Sequence, residues 1–161
     1  MRILIVSDTH GRDRNFERVL LCTDPADYIF HLGDLEGSEA YIEDICPCPV
    51  YMVSGNNDFF SSVPAEQVVS VEGHKIFMTH GHRYGVDFDC SRLRDAARAR
   101  GCDLVFCGHT HRPLIDTDGD IFVINPGSLT YPRQDNRQPS FVLMDIDQQG
   151  KMHFTINYLE I

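Results

Sequence analysis

Six short polar runs carry most of the chemistry this chain could do. Each follows an apolar run and has glycine in it or beside it. ILIVS leads into Asp8-Thr9-His10-Gly11, YIFHL into Gly33-Asp34, and VYMVS into Gly55-Asn56-Asn57-Asp58. KIFMT leads into His80-Gly81-His82, LVFC into Gly108-His109-Thr110-His111, and FVI into Asn125-Pro126-Gly127-Ser128. Any one of them alone reads as a turn, because Gly and Asn tolerate left-handed backbone and an Asn or Asp side chain bonds its own backbone. Six in one chain repeatedly supply Asp, His and Asn, the oxygen and nitrogen donors that hold Mn, Fe, Ni or Zn. None relies on thiolate, which points to a hydrolytic metal centre and away from a zinc finger.

The elements that would position these runs can be read from periodicity. Residues 13 to 22 place Phe16, Val19 and Leu20 at helical spacing after Asp13, a residue suited to capping. Residues 91 to 100 open on Ser91 as a cap and stop at Gly101, with basic side chains near the end where the helix dipole favours them. A weaker helix is expected over residues 38 to 45, ended by Pro47 and Pro49. In the later half, VVSVEGHKIFM, IDTDGDIFVI and MDIDQQGKMHF each read as two strands about a glycine-containing turn. The chain is therefore α/β first and antiparallel β later, a mixed α/β (α+β) pattern. Ligand sites form beyond the carboxyl ends of parallel strands, so the six runs are expected to converge on one crevice.

A length of 161 residues suits one domain over residues 1–161. No apolar run approaches the roughly 18 residues of a spanning helix, and the first apolar run is too short for a signal peptide, so a cytoplasmic location is expected. Six irregularly spaced cysteines, Cys46-x-Cys48 among them, read as reduced structural thiols. A formal net charge of −10 opposes a role in gripping long nucleic acid, whose affinity comes from cations neutralising phosphates. Small anionic substrates remain open, since the cations are nearly all Arg, which suits bidentate phosphate contacts. Arg12, Arg83, Arg112 and Arg133 lie near the polar runs.

Taken in order, Asp-x-His, Gly-Asp, Gly-Asn-x-Asp, His-Gly and Gly-His-x-His resemble the calcineurin-like metallophosphoesterase family from Asp8 to about Ser128. The short length, GHTHRP and NPGS are most similar to its small bacterial and archaeal phosphodiesterase branch. The resemblance implies a two-sheet β-sandwich with flanking helices. It also implies two divalent ions, Mn foremost, with Fe, Ni or Zn as alternatives. Asp8, His10, Asp34 and His111 would hold one ion, and Asp34, Asn56, His80 and His109 the other, with Asp34 bridging. Residues two apart on extended chain point to one side, so Asp8 and His10 can reach one ion together. His109 and His111 would serve different ions, which requires a loop that splays them. The implied reaction is attack of a metal-bridging hydroxide on the phosphorus of a small phosphodiester, with the ions about 3.5–4 Å apart.

Asn57 departs from the family pattern. Many relatives carry His there as a candidate acid, whereas an amide can donate a hydrogen bond to phosphate but not a proton. General acid catalysis, worth about 10²–10⁴-fold, must come from elsewhere or be dispensable, which predicts a preference for activated esters or slow turnover. His82 is a substitute acid, and Asn57, Arg112 and Ser128 are candidates for touching substrate. His31 reads as a core or supporting residue, and His74 and His153 have no motif around them. Two further readings compete. One is an interaction scaffold of the retromer-subunit type, against which stand seven filled ligand positions. The other is a cyclic-nucleotide phosphodiesterase or nuclease. A homodimer is implied by the resemblance only.

Overall fold

The computed structural model describes residues 1–160. Ten strands and three α-helices follow one another as β1 (Arg2–Val6), α1 (Arg14–Cys22), β2 (Tyr28–His31), α2 (Glu39–Ile45), β3 (Val50–Met52), β4 (Glu66–Val71), β5 (His74–Thr79), α3 (Ser91–Ala99), β6 (Leu104–Phe106), β7 (Pro113–Asp116), β8 (Phe122–Pro126), β9 (Ser140–Ile146) and β10 (Met152–Tyr158). They form two five-stranded sheets, ordered β10-β9-β1-β2-β3 and β4-β5-β6-β8-β7. The two-sheet sandwich with flanking helices is thus present.

Strand alternation explains the layers. In β1, Ile3 and Ile5 face the space between the sheets with Phe30, Met78, Phe106 and Val142. Their neighbours Leu4 and Val6 face outward onto Phe16 and Val19 of α1 and Ile42 of α2. On the second sheet Phe77, Val105 and Val123 face α3, whose Leu93, Ala96 and Ala97 complete that layer. Strands covered on both faces must be apolar at every position, which is why ILIV and LVF read as continuous runs.

The central strands run parallel, with β1 beside β2 and β2 beside β3 in one sheet, and β5 beside β6 and β6 beside β8 in the other. These six strands are the ones that lead into the six polar runs, and their carboxyl ends meet along one rim. The three expected hairpins are β4–β5, β7–β8 and β9–β10, all antiparallel.

Two details differ from expectation. Asp13 precedes α1 but its side chain makes no capping hydrogen bond. Ser91 is the first residue of α3, with Cys90 in the cap position. Asp89 does the capping work instead, accepting from the Ser91 N–H at 2.9 Å and its hydroxyl at 2.6 Å. All six cysteines are free, and burial pushes the Cys46 thiol up to about 12, which leaves Cys46-x-Cys48 without a reactive thiolate. Among the described residues no helix is long and apolar enough to cross a membrane.

His74 ties the two sheets together at the end opposite the rim. Its Nδ1 lies 3.1 Å from Asp103 Oδ2, and its Nε2 lies 3.0 Å from the Gly150 carbonyl in the β9–β10 turn. Partial burial lowers its pKa, but the Asp103 contact and the Gly150 carbonyl outweigh this and raise it. Because the folded pKa lies above the unfolded one, the contribution is complete below the unfolded value and is lost as pH rises through the folded value. His74→Gln should therefore cost on the order of 1 kcal/mol at pH 5.5 to 6 and much less at pH 9. Equal losses in denaturant unfolding at both pH values would refute this.

Candidate metal centre

At the rim the polar runs are laced together by backbone. The Asp8 N–H donates to the Gly33 carbonyl, the His10 N–H to that of Asp34, and the Gly108 N–H to that of His80. Asp8, His10, Asp34 and His111 each offer one ligand atom, and those atoms lie within 4.8 Å of one another. His10 Nε2 and His111 Nε2 are 3.2 Å apart, and His111 Nε2 is 3.1 Å from Asp8 Oδ1. Asp34 Oδ2 lies 3.6 Å from His10 Nε2 on one side and 3.4 Å from His80 Nε2 on the other. One oxygen of Asp34 thus faces both halves of the site. Asn56 and His109 lie together nearby, with Asn56 Oδ1 3.1 Å from His109 Nδ1.

The tautomers decide what this arrangement can hold. His80 Nδ1 donates to the Leu32 carbonyl at 2.6 Å, so the neutral ring turns a lone pair on Nε2 toward the carboxylates. That buried Nε2 and the buried Asp8 Oδ1 have no hydrogen-bond partner. His111 Nδ1 is spent on the Tyr131 carbonyl at 2.7 Å, and His109 Nε2 on Asp87 Oδ2 at 3.1 Å. The His109 lone pair then faces the Asn56 oxygen. For the buried His80 Nε2 and Asp8 Oδ1, acceptors that face acceptors need a proton or a cation between them, and this donor set fits divalent ions.

Without ions, protons take that role. Burial lowers the His80 pKa, but Asp34 and the Asp8 charge outweigh it and push it up to about 9. Burial likewise raises the Asp8 carboxyl, but His10, His111 and His80 outweigh it and hold it far below the usual carboxylate range. Burial also opposes the shift at Asp34, which His80 and the Asn57 hydrogen bonds turn downward.

Five ligand candidates sit on left-handed backbone: Asp8 (φ 55°), His10 (52°), Asp34 (56°), His109 (72°) and His111 (58°). This corrects the extended-chain account of Asp8 and His10. They reach one place because the chain coils between them, not because it is straight. The same conformations, with the Thr110 N–H closing onto the Gly108 carbonyl, splay His109 from His111. Left-handed non-glycine residues are uncommon, and such strain gathers at functional sites. Glycine makes the close approach possible: a Cβ on Gly55 would collide with Asp34 Oδ1, and one on Gly108 with Ser7 Oγ.

Other candidates fall in different places. The Asn57 N–H donates to Asp34 Oδ1 and its side-chain amide to Asp34 Oδ2, both at 2.9 Å, so Asn57 clamps the carboxylate. Asp58 accepts from the Gly55 and Glu36 N–H groups, both at 2.7 Å, and anchors the GNND loop to the loop after Asp34. Ser128 is fully buried; its hydroxyl donates to the Asp8 carbonyl and accepts from the Thr130 and Tyr131 N–H groups, which leaves nothing for a ligand. His82 packs beside His80 and His109, and burial with the charges of His80, Arg83 and His109 lowers its pKa. Arg112 is exposed beside His111. His31 is buried, accepts from the Gly33 N–H on Nδ1 and meets Thr9 Oγ1 on Nε2, and burial lowers it to about 4, so it supports the site as a neutral ring. His153 pairs with Asp147 on the surface.

Three contributors had no sequence signal of their own. Ser7 donates to Asp8 Oδ2 at 2.6 Å, Asp87 holds His109, and the Tyr131 ring packs against His10 at 5.2 Å between centroids. Replacing Asn57 with Ala keeps the backbone bond to Asp34 Oδ1 but removes the side-chain bond to Oδ2, and should weaken Mn²⁺ binding about 10–100-fold with little change in thermal unfolding. Unchanged Mn²⁺ titration would refute the clamp.

A two-sheet sandwich that gathers Asp, His and Asn donors at one rim has the build of a metal-binding hydrolase. The chain belongs to the calcineurin-like phosphoesterase superfamily, whose domain matches residues 1–149. It is 36% identical to a probable metallophosphoesterase of Methanocaldococcus jannaschii over 83% of this chain and 70% of that one. It is 29% identical to the phosphodiesterase YfcE of Escherichia coli over 91% and 89%. Among solved structures, a predicted phosphoesterase of Streptococcus pneumoniae matches with a TM-score of 0.81 at 28% identity, covering 98% of this chain and 88% of that one. A single-mutant form of Vps29 from Entamoeba histolytica matches at 0.77 and 25%, covering 99% and 100%.

Proposed function

We propose that the chain is a dinuclear metal-dependent phosphodiesterase acting on small phosphodiesters, with Mn²⁺ as the foremost ion. Asp8, His10, Asp34 and His111 would hold one ion and Asp34, Asn56, His80 and His109 the other. The observation that carries this reading is the pair of imidazole lone pairs, His80 Nε2 and His109 Nδ1, fixed by hydrogen bonds on their opposite nitrogens and aimed at oxygen acceptors. Bound divalent ions supply Lewis acidity, a nucleophile at neutral pH and charge stabilisation. The chain's own residues orient that chemistry: Asn57 and Ser7 fix the two carboxylates, and Asp87 fixes His109. Neither Asn57, an amide, nor His82, with its lowered pKa, is suited to deliver a proton near pH 7, which favours esters with good leaving groups.

The test is metal analysis of the purified protein together with hydrolysis of bis(p-nitrophenyl) phosphate. The expected result is about two ions per chain, loss of hydrolysis on chelation and recovery with Mn²⁺. A chain that binds no ion and cleaves no ester would leave the second reading, a protein-interaction role. That reading draws on the likeness to Vps29 and on Phe59, Phe60 and Phe88, which stand exposed on loops.

A further inference from the structure

Two cavities flank the metal centre, and they differ in charge. One, of about 650 Å³, adjoins Asn57 and is lined by Glu36, Glu39, Asp58, Phe59 and Phe60. The other, of about 390 Å³, lies on the His109 side. Both fall in the range of small-molecule sites, roughly 300–1,000 Å³. Val86, Cys90, Cys107 and Leu114 give the second cavity an apolar wall, and Arg112 and Arg133 line it as well.

Both arginines are tied to His111 through their backbones. Arg112 follows His111 directly, and the Arg133 N–H donates to the His111 carbonyl at 3.0 Å. Arg2, Arg94, Arg98 and Arg100 pair with carboxylates; among the described residues Arg112 and Arg133, like the remaining arginines, have no carboxylate within 4.0 Å, and they are the two that line this cavity. Among the described residues the only carboxylate lining this cavity, Asp87, is engaged by His109. In a chain of net charge −10, two uncommitted guanidinium groups beside one cavity reverse the local sign. Guanidinium forks match phosphate oxygens.

We propose that this cavity receives one arm of the substrate, and that this arm carries a second phosphate. The substrate class is then a phosphodiester bearing a further phosphoryl group, as in a 5′-phosphorylated dinucleotide. The apolar wall would take the base or another flat group, and Arg112 and Arg133 the phosphate. The acidic cavity on the opposite side disfavours the reverse placement. The inference rests on the hydrolytic reading above.

The test compares kcat/KM for the dinucleotides pApA and ApA with Mn²⁺, in the natural chain and in an Arg112→Gln, Arg133→Gln double variant. Both side chains are exposed, so the variant should fold, which its thermal unfolding checks. The natural chain is expected to prefer pApA by about 10–100-fold, from charge-assisted contacts to the added phosphate. In the double variant that ratio should fall to about 1. A natural ratio near 1, a ratio that survives in the variant, or an equal loss on both substrates would overturn the proposal. If no diester of any kind is cleaved, the hydrolytic reading fails, and equilibrium binding then judges the cavity alone. Adenosine 3′,5′-bisphosphate should bind about tenfold more tightly than 5′-AMP, and only with both arginines present. Equal binding of the two would overturn the cavity assignment.

Discussion

Replacing Asp34 with Asn is expected to abolish hydrolysis while the chain stays folded. Asp34 Oδ2 faces both His10 Nε2 and His80 Nε2, so its charge serves both halves of the centre. Asn keeps the size of the side chain but removes that charge and turns an N–H₂ group toward either the imidazoles or the Asn57 donors. Losing metal-borne stabilisation of several kcal/mol corresponds to at least about 10³-fold in kcat/KM. Metal content should fall below about two ions per chain in the same preparation. The ion-free fold should survive, because Asn keeps the side chain's size and the layers between and outside the sheets are built from apolar side chains that the substitution leaves unchanged. Activity within tenfold of the natural chain would sink the bridging assignment.

Replacing Gly108 with Ala is expected to damage both stability and ion binding through one methyl group. The added Cβ would run into Ser7 Oγ and stand 2.7 Å from Asp8 Oδ2, an approach that atoms do not tolerate. Asp8 cannot yield cheaply, since Ser7 and the His109 N–H both hold its Oδ2. Overpacking of this kind costs about 1–3 kcal/mol. For a chain of this size that lowers Tm by roughly 2–10 °C. Mn²⁺ affinity should fall with it, because Asp8 is displaced from His111. A variant with unchanged Tm and unchanged Mn²⁺ titration would mean that the rim is far looser than its geometry.

Much of this molecule was legible because its signals are local. The apolar runs, the helices near residues 14, 39 and 91, and the three hairpins follow from patterns within about ten residues. The six polar runs were visible for the same reason, and the order of their donor types carried the family. What stayed hidden depends on contacts across the chain. Asn57 looks like a vacancy for an acid until Asp34, 23 residues away, is seen to take its backbone N–H and one N–H of its side-chain amide. Ser128 looks available until its hydroxyl is found spent on the Asp8 carbonyl, 120 residues away. Asp87 and Tyr131 sit in no motif and matter only through the imidazoles they touch. The straight-chain account of Asp8 and His10 failed because residue type alone does not reveal φ, and Asp or His at positive φ is uncommon.

That left-handed backbone separates what this chain does from what would make it most durable. At Asp8, His10, Asp34, His109 and His111 a glycine would sit without strain, and relieving one such residue is worth on the order of 1 kcal/mol. Selection for durability alone would therefore erode the rim first, leaving the sandwich intact and the donors gone. A chain that keeps Asp or His at all five positions gives up that stability, and under the proposed ligand assignment bound ions would return part of the loss because they bind only the folded form. On the dinuclear reading proposed above, its margin against unfolding would be set partly by the metal supply around it, and starvation for metal would weaken the molecule as well as silence it.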